Sequence, residues 1–215
     1  MAEQPAEVPT HAPVEAVTAV HTIAVIGAGV TGRSIAQAMA VAGFRTILED
    51  LLPNALRKAE TEIRAKLTEA VAAGNLTSAD ATTALSCLEY ADSIEQAARA
   101  ADLVIEAVPE ELESKIEIFT MLDKICRPNT ILVSTTSSLS VTEIASVTYR
   151  AKRCAGIRFG NRAHATTTIE VVSTPETDDD TLATVTEVAR RMGKEVVIHQ
   201  ESSDPFHAQS HSATT

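Results

Sequence analysis

Gly27, Gly29, Gly32 and Asp50 are the residues whose types and spacing point most directly to chemistry. They lie in TIAVIGAGVTGRSIAQAMAVAGFRTILED, from Thr22 to Asp50, which reads as strand, glycine turn, helix and second strand. The first glycine permits a tight turn, the second lets backbone approach a pyrophosphate, and the third lets the helix pack close to the sheet. The helix opening at Val30 and Thr31 offers unpaired N–H groups and the positive end of its dipole to phosphate oxygens. Asp50 follows Gly32 by 18 residues, about where a carboxylate can hold an adenosine ribose. A structural βα turn is the alternative reading of the glycines alone. The apolar run Ile23–Ile26, the Ala-rich helix and the acidic strand end favour the dinucleotide.

The acidic strand end also selects between cofactors. Glu49 and Asp50 would repel a 2′-phosphate, whereas Asp50 can accept hydrogen bonds from a 2′-hydroxyl. Arg45 starts that strand and is poorly placed to receive the phosphate. The expected cofactor is NAD rather than NADP.

These residues need a sheet to position them. Apolar runs at 22–27, 45–49, 102–108, 130–134, 153–159, 167–172 and 195–199 predict strands, with a weaker one at 86–90. Helical stretches at 30–42, 53–72, 78–85, 93–100, 110–126, 140–147 and 178–192 alternate with them. Such alternation predicts an α/β fold, a mostly parallel sheet covered by helices on both faces. Pro53 suits the first turn of its helix and Gly74 its end. Asp178, Asp179 and Asp180 suit the start of the last helix, Arg190, Arg191 and Lys194 its end, and Gly193 breaks it.

With 215 residues and 45% hydrophobic content, the chain suits one large domain with tails. Residues 1–20 hold three Pro and three Glu with no Lys or Arg, and are expected to form a disordered acidic arm rather than a secretory leader. The dinucleotide-binding domain is expected at 21–200, and a polar tail at 201–215. A net charge of −11 argues against nucleic acid or an anionic membrane as partner. No apolar run approaches the ~18 residues that cross a bilayer. Cys87, Cys126 and Cys154 are widely spaced and read as buried free thiols of a cytoplasmic protein. The six histidines show no metal-ligand spacing, so no metal is expected.

Three further segments occur in a fixed order: ADLVIEAVPEELESKIEIF at 101–119, ILVSTTSSLSVTEIA at 131–145, and GIRFGNR followed by IEVV at 156–172. With the glycine turn, they make the chain resemble the NAD-binding domain of the 3-hydroxyacyl-CoA dehydrogenases, including bacterial 3-hydroxybutyryl-CoA dehydrogenases. The resemblance covers roughly residues 21–200. It implies a Rossmann-type, doubly wound sheet whose final strands run antiparallel. It also implies NAD(H) and acyl-CoA as ligands, and oxidation of 3-hydroxyacyl-CoA to 3-oxoacyl-CoA in fatty acid metabolism. The family's nicotinamide-side Glu and nearby Lys match Glu110 and Lys115, and its substrate-contacting serine matches Ser137. Its catalytic Glu matches Glu170, and the Asn of its G-x-H-F-x-N-P box matches Asn161.

The His of that box is Arg158 here. The family reaction removes a proton from the 3-hydroxyl as hydride passes to NAD, a task suited to imidazole. Arginine stays charged and has no acceptor nitrogen, so it cannot be the base. It can anchor an anion or pair with Glu170. The box also carries Gly160 and Arg162, and Thr135 stands where the family has Asn. Family members continue into a helical domain that closes the cleft and forms the dimer interface. Here the linker is reduced to Asp204-Pro205-Phe206 and the chain stops at Thr215. A second copy or a separate partner is then expected to cover the exposed face.

Two functional readings follow. One is a dehydrogenase with the base supplied elsewhere, His164 being the nearest candidate and a surface-loop role its alternative. The other is a non-catalytic, redox-sensing or partner-binding NAD(H) module. Bland roles remain open for other residues. Glu110 can simply favour a helix start, Lys115 can form an exposed pair with Glu111, and Ser137 can cap a turn. Arg33 can reach the pyrophosphate or point to solvent. His199, His207 and His211 suggest no site.

Overall fold

The structure is a computed structural model that describes residues 19–159 and 168–201. Gly160, Asn161, Arg162, His164, His207, His211 and the expected arm and tail lie outside the described residues, apart from Ala19, Val20 and Glu201.

Five strands run parallel with β1 as a continuous set. β1 (Thr22–Ile26), β2 (Arg45–Glu49), β3 (Leu88–Ala91), β4 (Leu103–Glu106), β5 (Ile131–Ser134) and β6 (Cys154–Phe159) lie in the order 3-2-1-4-5-6. β7 (Thr168–Ser173) pairs antiparallel with β6, and β8 (Glu195–Gln200) pairs parallel with β7. The last two strands therefore run opposite to the rest. Strands buried on both faces need apolar residues at successive positions, as TIAVI and LVIE provide.

The sheet separates two cores. Ile23, Val25, Leu48, Leu103 and Ile105 pack with Ile35 and Met39 of α1 (Val30–Val41) and Ile63 and Leu67 of α2 (Pro53–Ala72). α3 (Ser78–Ser86) and α7 (Asp179–Arg191) also cover that face, through Ala84 and Val188. Ala24, Ile26, Val104 and Leu132 face the other core. There they meet α4 (Ile94–Ala98), α5 (Leu112–Ile125) and α6 (Val141–Ala145). Because strand order reverses between β1 and β4, a crevice opens at the carboxyl ends of these strands.

Helix ends follow local chemistry. Pro53 occupies the first turn of α2, and the side chain of Asp178 accepts from Thr181 N at 2.8 Å to cap α7. The expected helix 110–126 begins later, at Leu112, so Glu110 lies in the preceding loop and its carboxylate is free to reach across the cleft. The weak strand at 86–90 shifts to Leu88–Ala91, because α3 continues to Ser86.

Candidate functional site

A cavity of about 810 Å³ lies along the crevice, lined at one end by Gly29, Asp50 and Leu52 and at the other by Glu110, Ser137 and Arg158. Its floor is the glycine turn. Gly27 has φ +99°, and a Cβ there would meet the Ala107 carbonyl oxygen at 2.8 Å. A Cβ on Gly32 would stand 1.8 Å from the Gly27 carbonyl oxygen, so α1 can approach the turn only without it. Gly29 is different: a Cβ there meets nothing within 4 Å. The space above Gly29 is open, and no side chain caps α1. First-turn N–H groups of α1 are thus left for an anion.

Asp50 fixes this end. Its two carboxylate oxygens accept from Ala28 N and Leu52 N, each at 2.9 Å, which locks the turn to the end of β2. Arg33 does not take part: its guanidinium pairs with Glu62 of α2 at 2.7 Å. The pair leaves its side chain mostly buried against α2 and outside the cavity lining.

The opposite end is built on a buried ion pair. Lys115 and Glu106 have fully buried side chains 2.8 Å apart. The ammonium also donates to the carbonyls of Val108 and Thr135, at 3.3 and 3.2 Å. Glu106 accepts in addition from Val108 N at 2.8 Å and Ser134 Oγ at 2.6 Å. The exposed Lys115–Glu111 pair, the alternative reading of this lysine, does not form; Lys115 points inward. It stands behind the cavity wall rather than lining it. Burial raises the Glu106 carboxyl, opposed by Lys115 and the two hydrogen bonds.

Glu110 stands in front of this pair. Its Oε1 accepts from Thr136 Oγ1 at 2.7 Å, Ser137 N at 2.8 Å and Ser138 N at 3.1 Å. Partial burial alone would raise its pKa. The Thr136 hydroxyl, the two amides and the nearby Lys115 charge outweigh burial and hold it down at about 2. Ser137 also donates through Oγ at 3.1 Å, so its partner is Glu110 and the helix-capping role falls to Ser140.

Arg158 and Glu170 are register partners across β6 and β7, with guanidinium and carboxylate 3.8 Å apart. Nε of Arg158 donates to the Thr136 carbonyl at 3.3 Å, and a terminal nitrogen meets Glu201 at 3.4 Å. Glu201 was expected at the head of a polar tail. Instead it accepts from Val141 N at 2.9 Å and Thr142 N at 2.8 Å, capping α6. His199, given no role from sequence, places Nδ1 3.8 Å from Glu170. No local pattern marks Glu201 or His199, because strand pairing alone brings them to the site.

The family model for the "3-hydroxyacyl-CoA dehydrogenase, NAD binding domain" matches residues 22–202. This chain belongs to the 3-hydroxyacyl-CoA dehydrogenase family. It is 37% identical over 175 residues to a probable 3-hydroxybutyryl-CoA dehydrogenase of Bacillus subtilis, covering 81% of this chain and 61% of that protein. The mitochondrial hydroxyacyl-coenzyme A dehydrogenase of Homo sapiens is 35% identical, with 81% of this chain and 57% of that protein covered. The solved 3-hydroxybutyryl-CoA dehydrogenase of Escherichia coli K12 superposes with a TM-score of 0.81 at 36% identity. That match covers 86% of this chain and 39% of the other. The chain thus spans about three fifths or less of these relatives' length.

The cofactor of this family domain is NAD, and the residues present fit it. The open space over Gly29, the uncapped start of α1 and the Asp50 carboxylate form one cradle. Of the positions matched to the family's chemistry, Glu110, Ser137 and Arg158 line one cavity. Glu170 touches it through Arg158, while Asn161 lies outside the described residues.

Proposed function

We propose that this chain is an NAD(H)-binding Rossmann domain of dehydrogenase ancestry in which the residue at the base position has become a structural cation. The amides above Gly29, Val30 and Thr31 would hold the pyrophosphate, and Asp50 would hold the adenosine ribose. Glu110 and Ser137 would face the nicotinamide end, with Lys115 acting indirectly by fixing Glu110. When bound, NAD would supply a hydride acceptor, the chemistry that the family's hydroxyacyl substrates require.

One observation carries the reading of the catalytic box. Arg158 is engaged by two carboxylates and a carbonyl, from Glu170, Glu201 and Thr136. A guanidinium has no acceptor nitrogen and stays charged, so it takes no proton from a hydroxyl. Loss of a general base typically costs ~10²–10⁴-fold in rate. Its charge is already opposed by Glu170 and Glu201, which argues against service as a free anchor for an anionic substrate.

A second reading keeps the dehydrogenase activity on a 3-hydroxyacyl-CoA, favoured by the family match and by the imidazole of His199 beside Glu170. Two titrations separate the readings. NADH is expected to bind and NADPH to bind at least ~10-fold more weakly, since the Asp50 carboxylate faces any 2′-phosphate. No NADH binding at millimolar concentration would overturn the cofactor assignment. NADH oxidation driven by acetoacetyl-CoA is expected to stay near background. A clear rate that His199→Ala removes would establish the second reading.

A further inference from the structure

Glu49 ends β2 beside Asp50 and lines the cavity near Gly27 and Ile94. It is only 2% exposed, yet among the described residues its Oε1 has no hydrogen-bond partner. Among the described residues no cation offsets it. The charges acting on it are the carboxylates of Asp50 and of Asp92, in the loop before α4. β1 brings Ile26 and α4 brings Ile94 and Ala97, all apolar. The one acidic residue of α4, Glu95, pairs instead with Arg99. Among the described residues the one group favouring the charged form is the Gly27 amide, and it donates at 2.8 Å to the main-chain carbonyl of Glu49 rather than making a hydrogen bond to the carboxyl.

An ionised carboxylate in such a place is costly, because burial removes its hydration and nothing replaces it. The neutral acid fits better, since it carries one O–H donor and a carbonyl acceptor. Burial first, then the charges of Asp50 and Asp92, push Glu49 up to about 7, and the Gly27 amide only partly opposes them. The neighbouring carboxyl is arranged differently, since both Asp50 oxygens already accept backbone amides.

We propose that Glu49 contacts the adenosine half of the dinucleotide as a neutral carboxylic acid donating its O–H, so that binding takes up a proton. This rests on the NAD(H) reading above. The adenosine would cover Glu49 further, and the pyrophosphate would add negative charge nearby. Both effects favour the protonated form in the complex over that in the free protein. The two adjacent carboxyls then divide the work: Asp50 accepts from the ribose and Glu49 donates. Above neutral pH the proton comes from solvent, and binding weakens as the free protein loses it.

The test is calorimetric titration of the whole chain with NADH from pH 6.5 to 8.5, in two buffers of different ionisation enthalpy. Linkage of one proton can change affinity by up to ~10-fold per pH unit above the free protein's pKa. NADH is expected to bind at least ~5-fold more weakly at pH 8.5 than at 6.5, with net proton uptake at pH 8. Glu49→Gln keeps a neutral hydrogen-bonding group of the same shape, and its affinity should vary less than ~2-fold over that range. Proton release by the wild-type protein, or affinity that holds or rises with pH, would overturn the proposal. So would a Gln variant that keeps the wild-type slope. Proton uptake is measured on the wild type, so a poorly folding variant does not remove the test. Absence of NADH binding at every pH would overturn the NAD(H) reading itself, a distinct outcome.

Discussion

The buried Lys115 carries more than an ion pair. Its ammonium holds the Glu106 carboxylate and two loop carbonyls with no solvent to replace any of them. Removing one partner of such a pair leaves an uncompensated charge and costs ~3–5 kcal/mol, whereas removing both can be nearly neutral. Lys115→Met is therefore expected to lose ~3–5 kcal/mol in urea unfolding. The double variant Glu106→Gln with Lys115→Met should be more stable than Lys115→Met alone. A simple sum of the two single effects would contradict this account. Glu110 adds a pH signature. Its pKa lies at about 2 in the folded chain, below the usual 4.5, so its contribution is present above pH ~4.5 and is lost as pH falls toward 2. Thermal melts of the wild type and Glu110→Gln should differ most at neutral pH and converge on acidification. Glu49 has the opposite sign. Its folded value near 7 lies above 4.5, so its contribution is complete below pH ~4.5 and lost as pH rises through 7.

At the scale of elements, the glycine turn separates folding from binding. Gly32→Ala drives a Cβ into the Gly27 carbonyl, a backbone atom that cannot swing aside. Overpacking of this kind typically costs ~1–3 kcal/mol, occasionally more, and should push α1 off the sheet. Gly29→Ala meets nothing and should leave the melting temperature nearly unchanged. Its methyl group would stand in the pyrophosphate's place, so NADH binding should fall at least ~10-fold by the logic of close backbone approach. Equal loss of stability in both variants would contradict this division. The turn, Asp50 and the strand–helix alternation were legible because each depends on residues near in sequence: glycine spacing, apolar runs, Pro53 and Asp178 at helix starts. Lys115 was not. A lysine four residues after Glu111 on a helix suggests an exposed pair, and only the close approach of β4 and β5 turns it inward. Glu201 escaped for the same reason, since its partners are Arg158 and the start of α6, far back along the chain. Buried Glu106 left a faint trace, as the one charge in the apolar strand LVIE.

For the molecule as a whole, Arg158 joins the parallel part of the sheet to the reversed part. Its partners come from the loop after β5, from β7 and from the residue after β8, and that last residue caps α6. Arg158→His tests whether this joint displaced a catalytic base or replaced its role. The imidazole would sit across from Glu170, which can orient it and stabilise its charged form. Glu201 would lose a cation but keep its bonds to α6, where the Thr142 hydroxyl and the amides of Thr142 and Val141 outweigh burial to lower its pKa. The expected cost is thus modest, about 1 kcal/mol for a partly exposed pair. NADH affinity should change less than ~3-fold, because Asp50 and the glycine turn are untouched. A slow NADH-dependent reduction of acetoacetyl-CoA should emerge above the wild-type background, and should vanish again in Arg158→His with Glu170→Gln. A collapse of NADH affinity in the single variant would instead make Arg158 part of the cofactor site. In that case its place at the mouth of the cavity, rather than its ties to Glu170 and Glu201, would explain why an arginine stands there.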